Sequence, residues 1–235
     1  MRVSAQSRRV ASPEWNLQNL GRRVPRSLRQ ARDLTTARRI VATAEEIFAE
    51  QGLAGARMDE IARAAKVNKA LLYYYFRSKE ELYRFVLETL LSQLRQRVAP
   101  EGAGTATRRQ RLVAMIDNFF DFVQHHPNYP RLMQREMMSH GPNRDWIVSE
   151  YYRPLHGQLV SLIDEGISAG EFRRVDTQNT AFNVISLMVF YFAAAPVLGS
   201  MLGHDPLQPR EVSRRRKAVH DLLEHGLFQP GAGRQ

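Results

Sequence analysis

The sequence predicts an all-α protein of about nine helices. Apolar residues recur at a 3.6-residue period from residue 40 almost to the end, which leaves little room for strands. A hydrophobic content of 43% over 235 residues is enough to bury one or two sizeable cores. Glycines, prolines and capping residues punctuate the pattern at helix-length intervals.

Taken in order, residues 1–33 hold eight arginines against two acids, more than half of the net charge of +10. Their Ser, Gln, Pro and Gly content predicts a disordered basic arm, able to follow a phosphate backbone or enter a minor groove. The arm has no apolar run of the kind a secretory signal requires. Thr35 or Thr36 is placed to cap a first helix with Ile40, Ala44, Ile47 and Phe48 on one stripe and Gly52 at its C-terminal stop.

The run from Ala56 to Leu82 reads as two short helices around a tight break. Ala62, Ala64 and Ala65 keep the first helix thin where the two cross, and Ile61 and Val67 form the wedge. Leu72 and Phe76, four residues apart, share the inward face of the second helix. Asn68, Lys69, Ala70, Tyr73 and Tyr74 are then directed outward, and their amide, ammonium and phenol groups suit phosphates and base edges. This is the layout of a helix-turn-helix that enters a major groove.

Ser78 is the expected cap of a longer helix that runs through Leu82, Phe85, Val86 and Leu90 to about Val98 and connects two domains. Pro100, Gly102 and Gly104 mark a break, after which Leu112, Ile116, Phe119, Phe120 and Val123 restore the helical period as far as His125-His126-Pro127. Further helices are expected at 128–139, at 143–168 with a bend at Pro154, at 177–200 and at 210–227. The predicted organisation is an arm (1–33), a helix-turn-helix domain (34–82), an effector-binding and dimerisation domain (83–228) and a tail (229–235).

Over roughly residues 34 to 82 the chain resembles the DNA-binding region of the tetracycline-repressor (TetR) family of transcriptional regulators. The resemblance is carried by Thr36-Ala-Arg-Arg-Ile40, Ile47-Phe48-Ala-Glu-Gln-Gly52, Ile61-Ala62, Ala65-Lys-Val67, Asn68-Lys69, Leu72-Tyr73-Tyr74-Tyr75-Phe76 and Ser78-Lys79-Glu-Glu-Leu82. It implies a three-helix DNA-binding unit with Tyr73 and Lys79 on phosphates. Asn68, Lys69, Ala70, Leu71 and Tyr74 would face bases, with Tyr75 a weaker contact. Three positions depart from the family pattern: Arg57 where Ser or Thr often caps the helix, Lys66 where Gly is common, and Ala70-Leu71 where Gly-Thr is common. The charge of Arg57 still reaches for a phosphate, and the cap either comes from Asp59 or is missing at a cost of about 1 kcal/mol.

The resemblance also implies a C-terminal domain that dimerises and holds a small effector, with an inverted-repeat operator as the DNA partner. The residues themselves point the same way. Thr177 to Leu198 is too apolar to face water, and Val219, Leu222, Leu223 and Leu227 give the last helix an apolar side, so these two helices are the expected homodimer surface. Two recognition helices roughly 34 Å apart would then meet successive major grooves. Phe119, Phe122, Met133, Met137, Trp146 and Tyr151 are candidate walls of a pocket for a lipophilic effector, with Arg131 able to hold an anionic head.

Other classes are poorly supported. No HExxH or Walker motif is present, and Gly102-Ala-Gly104 lacks the strand and third glycine of a dinucleotide site, so neither an enzyme nor a cofactor is predicted. The chain has no cysteine, which excludes thiolate chemistry and fits the cytoplasm. The competing reading is a membrane-associated protein with a single span, because residues 177–203 carry no charge. Asn179, Asn183, Ser186 and Pro196 within that segment favour a helix buried inside the protein and no membrane partner.

Overall fold

The computed structural model describes residues 31–99, 106–139 and 141–230. Residues 1–30 of the predicted arm, the break from Pro100 to Gly104 and residues 231–235 of the predicted tail lie outside the described residues. Among those described, all regular elements are helical, joined by one isolated antiparallel bridge between Phe172 and Phe228. The helices are α1 (Ala31–Gly55), α2 (Met58–Ala64), α3 (Lys69–Tyr75), α4 (Lys79–Val98), α5 (Arg108–His125), α6 (Tyr129–Met138), α7 (Pro142–Ile147), α8 (Arg153–Ser168), α9 (Thr177–Ala193), α10 (Ala195–Leu202) and α11 (Pro209–Gly226).

Two of the expected boundary residues, Gly52 and Ser78, act where the sequence places them. Ser78 Oγ accepts from the Glu81 N–H at 3.1 Å to open α4, and Thr107 with Gln110 forms a reciprocal capping box on α5. Gly52, at φ 71°, ends the regular part of α1. Thr35 and Thr36 do not cap that helix, because it already runs from Ala31 and both lie inside it.

Two predicted helices are each divided, and proline explains both. Pro154 has no N–H for the carbonyl one turn back, and its ring crowds that carbonyl. Ahead of it the chain forms a π-helical turn, Val148–Tyr152, in which the Arg153 N–H reaches the Val148 carbonyl. Pro196, in the first turn of α10, likewise interrupts the ladder, and α9 and α10 meet at 68°. No single described helix is long and apolar enough to cross a membrane; only the bent pair taken together has the length and composition.

One continuous apolar cluster runs from α1 to α11. α4 is its spine: Leu82, Tyr83, Phe85, Val86, Leu87, Leu90, Leu91 and Leu94 are all buried, between α1 on one side and α5 on the other. The Phe48 and Tyr83 rings meet edge to face at 4.8 Å, and Phe76 and Phe85 at 5.3 Å. Each such fully buried side chain contributes about 1.5–3 kcal/mol. α11 is fastened to α5 by Arg216, which pairs with Asp121, and His220 Nε2 lies 3.1 Å from Asp117.

α6 touches both halves of the molecule. Met133 and Met137 lie on one side of it, and its other side is tied to the N-terminal helices. Arg135 donates to the Glu50 carbonyl of α1 at 2.9 Å, and the buried Tyr83 hydroxyl of α4 donates to Glu136 at 2.6 Å. Burial and the bond to Glu136 push the Tyr83 phenol far above its ordinary range, so it remains a donor.

Two groups shielded from water set opposing pH dependences. Glu45 of α1, half-buried and 3.3 Å from the Asn128 amide that precedes α6, is raised from 4.5 to about 7, mainly by loss of water. His126, stacked on Phe122 at 4.4 Å, is lowered from 6.5 to about 4 by burial, with Arg97 and His125 adding to it. The histidine pair is therefore not the doubly charged helix stop that its position suggests. The folded protein holds the Glu45 proton more tightly than the unfolded chain, so this residue lowers stability as pH rises from 4.5 to about 7. His126 lowers stability as pH falls from 6.5 to about 4. Melting curves of Glu45→Gln should show the variant gaining on the parent as pH rises through the first window.

Candidate DNA-binding surface and effector cavity

The break between α2 and α3 is closed by backbone bonds: Ala65 N–H to the Ile61 carbonyl at 2.8 Å and Val67 N–H to the Ala62 carbonyl at 3.0 Å. Ile61, Ala62, Ala65, Leu72 and Phe76 are buried, as their spacing predicts. The outward face carries Asn68, Lys69 and Ala70, exposed, with Tyr73 at 41% and Tyr74 at 61% exposure. The Asn68 carbonyl oxygen caps α3 by accepting from the Leu71 N–H at 2.7 Å, which leaves its NH₂ group to face outward. Lys69 pairs with Asp59 at 2.8 Å, and that hydrogen bond raises its pKa.

Three predicted contacts sit differently. Tyr75 is 3% exposed, because three residues beyond Leu72 it falls on the inward face; it packs in the core and does not face DNA. Leu71 is half-buried against the core. Lys79 Nζ donates to the carbonyls of Ala56 at 3.0 Å and Ala54 at 3.3 Å, so it fastens the start of α4 to the end of α1. Arg57 is exposed at the start of α2, where no side chain supplies a cap; Asp59, the expected substitute, is held by Lys69. Arg63 and Lys66 are also exposed beside the turn.

The second domain encloses a cavity of about 530 Å³ with a largely apolar wall. Of the candidate effector residues, Phe119, Met133 and Met137 line it. Phe122 does not; its ring is spent on His126 and on Tyr129 at 5.1 Å. Trp146 lies under the Arg84 guanidinium at 3.2 Å, and the Tyr151 hydroxyl is 3.3 Å from Ser92 Oγ on α4. Arg131 faces a separate depression at the α9–α10 bend. The walls that the sequence did not single out come from the π-turn and the start of α8 (Val148, Tyr152, Leu155, His156) and from α9 (Phe182, Ile185, Met188). The lack of charge in α9 was the available signal.

A band of exposed apolar side chains crosses α9, α10 and α11: Val189, Phe190 at 68% exposure, Val197, Met201, Leu202 and Leu222. On α11 only Leu222 faces out. Val219, Leu223 and Leu227 pack inward, so α10 supplies much of the apolar surface expected of the last helix.

Residues 40–86 match bacterial regulatory proteins of the tetR family, and residues 109–223 match the tetracyclin repressor-like C-terminal domain. The chain is also 30% identical over 178 residues to the HTH-type transcriptional regulator RutR of Escherichia coli O157:H7, covering 70% of this chain and 77% of RutR. The chain belongs to the TetR family.

Members of the TetR family are DNA-binding transcriptional regulators and not enzymes. The HTH-type transcriptional repressor NicS of Pseudomonas putida is 26% identical over 193 residues, 80% of this chain and 90% of that one. The ketosteroid transcriptional regulator KstR2 of Mycobacterium tuberculosis shares the fold at a TM-score of 0.67 and 20% identity, over 82% of this chain and 95% of that one. Within the TetR fold, Lys66 occupies the turn of the DNA-binding unit at φ 53°, a left-handed conformation that carries a penalty of about 1–2 kcal/mol for a residue with a Cβ. Lys66→Gly should therefore raise stability by about 0.5–1 kcal/mol after glycine's larger unfolded-state entropy is counted. Chemical denaturation reads that gain, and unchanged stability would mean that the backbone relaxes elsewhere.

Proposed function

We propose that this TetR-family regulator is a cytoplasmic repressor that binds an inverted-repeat operator as a homodimer and is released by a small lipophilic effector. The observation that carries this reading is α6, with Met133 and Met137 in the cavity wall and Arg135 and Glu136 tied to α1 and α4. An effector that fits the cavity better with α6 displaced moves the DNA-binding helices with it and shifts the population off DNA. The exposed band on α9, α10 and α11 is the proposed two-fold surface, and the outward face of α3 is the proposed reader, with Arg57 on a phosphate. Repression follows the relative NicS, which is named a repressor.

The test is a mobility-shift titration of the purified chain on DNA from upstream of its own gene, repeated over a salt series. Selective binding at an inverted repeat, steeply weakened by salt, is expected. Binding that ignores sequence would overturn operator recognition at that site.

A further inference from the structure

The charge of the cavity wall deepens that reading and rests on it. Among the described residues no Asp or Glu lines the cavity, and its basic side chains are Arg153 and His156. These stand three residues apart in the first turn of α8, hence on one face of the helix, just after the π-turn. Arg153 is exposed and forms no ion pair among the described residues. His156 packs its ring 4.5 Å from Phe182, and its Nε2 is buried with no hydrogen-bond partner. A shielded nitrogen without a partner is unfavourable, and in the tautomer that carries its proton on Nε2 a ligand acceptor at the cavity wall relieves it. The other polar groups do not compete for that acceptor. The Tyr129 and Tyr152 hydroxyls lie 3.5 Å apart and face each other, while Gln134, on α6, is neutral.

We propose that the cavity binds a lipophilic carboxylate, its head held by Arg153 and His156 Nε2 and its hydrocarbon body against Phe119, Met133, Met137 and Met188. The methionines adapt to a flexible chain, and the volume of about 530 Å³ suits one chain of drug-like bulk. A lipophilic cation meets aromatic faces there but also an arginine with no balancing carboxylate, which disfavours it. A neutral lipid leaves both the guanidinium and the imidazole unanswered.

Calorimetric titration of the full chain with dodecanoate, methyl dodecanoate and dodecyltrimethylammonium, all below micellar concentrations, tests this. Dodecanoate should bind about ten-fold or more tightly than either of the others. Arg153→Gln and His156→Gln should each cut that preference severalfold while leaving methyl dodecanoate affinity within about two-fold. Equal affinity for all three probes, tighter binding of the ammonium, or an unchanged preference in both variants overturns the carboxylate assignment and leaves the lipophilic cavity standing. No binding of any probe overturns the lipophilic cavity as well.

Discussion

Tyr73→Ala is expected to lower operator affinity by about a hundred-fold or more without changing the unfolding midpoint. Tyr73 is 41% exposed on the outward face of α3, so its removal opens no cavity in the core. A hydrogen bond to a charged group such as a phosphate contributes about 1.5–3 kcal/mol, and a two-fold dimer makes the contact twice. Tyr73→Phe should reproduce most of the loss, because in the proposed contact only the hydroxyl reaches a phosphate oxygen. A contact of that kind is with the backbone, so the loss should be similar on every operator variant, and the salt slope should not change because no counterion is released by a neutral phenol. Tyr74→Ala should instead alter base preference within each half-site. Fluorescence anisotropy on a panel of operator variants distinguishes the two, and full-strength binding by Tyr73→Phe would remove Tyr73 from the phosphate contacts.

Gly166→Ala should destabilise the fold by about 2 kcal/mol net. A Cβ at Gly166 falls 2.3 Å from Phe172 Cδ2 and 2.5 Å from its Cε2. Phe172 cannot easily retreat: it is buried, packed 5.3 Å from Phe228, and flanked by bridge bonds of 2.8 Å from the Arg173 N–H to the Leu227 carbonyl and from the Gln229 N–H to the Glu171 carbonyl. Overpacking of this kind costs about 1–3 kcal/mol or more, against which alanine's better helix propensity returns about 1 kcal/mol. In a domain of this size the net loss corresponds to roughly 4–8 °C in melting temperature. Adding Phe172→Leu should restore part of it, a coupling that a double-mutant cycle measures directly. Stability in Gly166→Ala equal to the parent would mean that the bridge yields.

The helix-turn-helix was readable because its determinants are local. Ile61, Ala65, Leu72 and Phe76 fix the inward face by spacing alone, and the structure buries all four. Tyr75 was misplaced because a residue three positions from an inward leucine sits at the edge of that face, where packing and not period decides. Lys79 reads as a free cation until the carbonyls of Ala54 and Ala56, 25 and 23 residues away, are brought beside it. The cavity was less legible for a different reason. An aromatic on a helix looks the same whether it faces a void or a neighbour, so Phe119 lines the cavity while Phe122 and Trp146 are taken up by His126 and Arg84. α9 is so uniformly apolar that its sequence does not say which side is which; Met188 faces inward while Phe190 faces out. The π-turn before α8 was signalled by Pro154, but which of its faces meets the cavity, the one with Val148, Tyr152 and His156, depends on contacts distant in sequence.

A helix of 10 residues, α6, lies between the cavity and the two helices that carry the reader. In the proposed scheme effector and operator favour different positions of this one element, and linkage makes the antagonism mutual: whatever factor the effector takes from DNA affinity, bound DNA takes from effector affinity. The concentration of effector needed for induction is then not a constant of the protein. It rises with the number of operator copies in the cell, so the same chain would act as a sensitive switch for a single promoter and a blunt one when many sites compete for it.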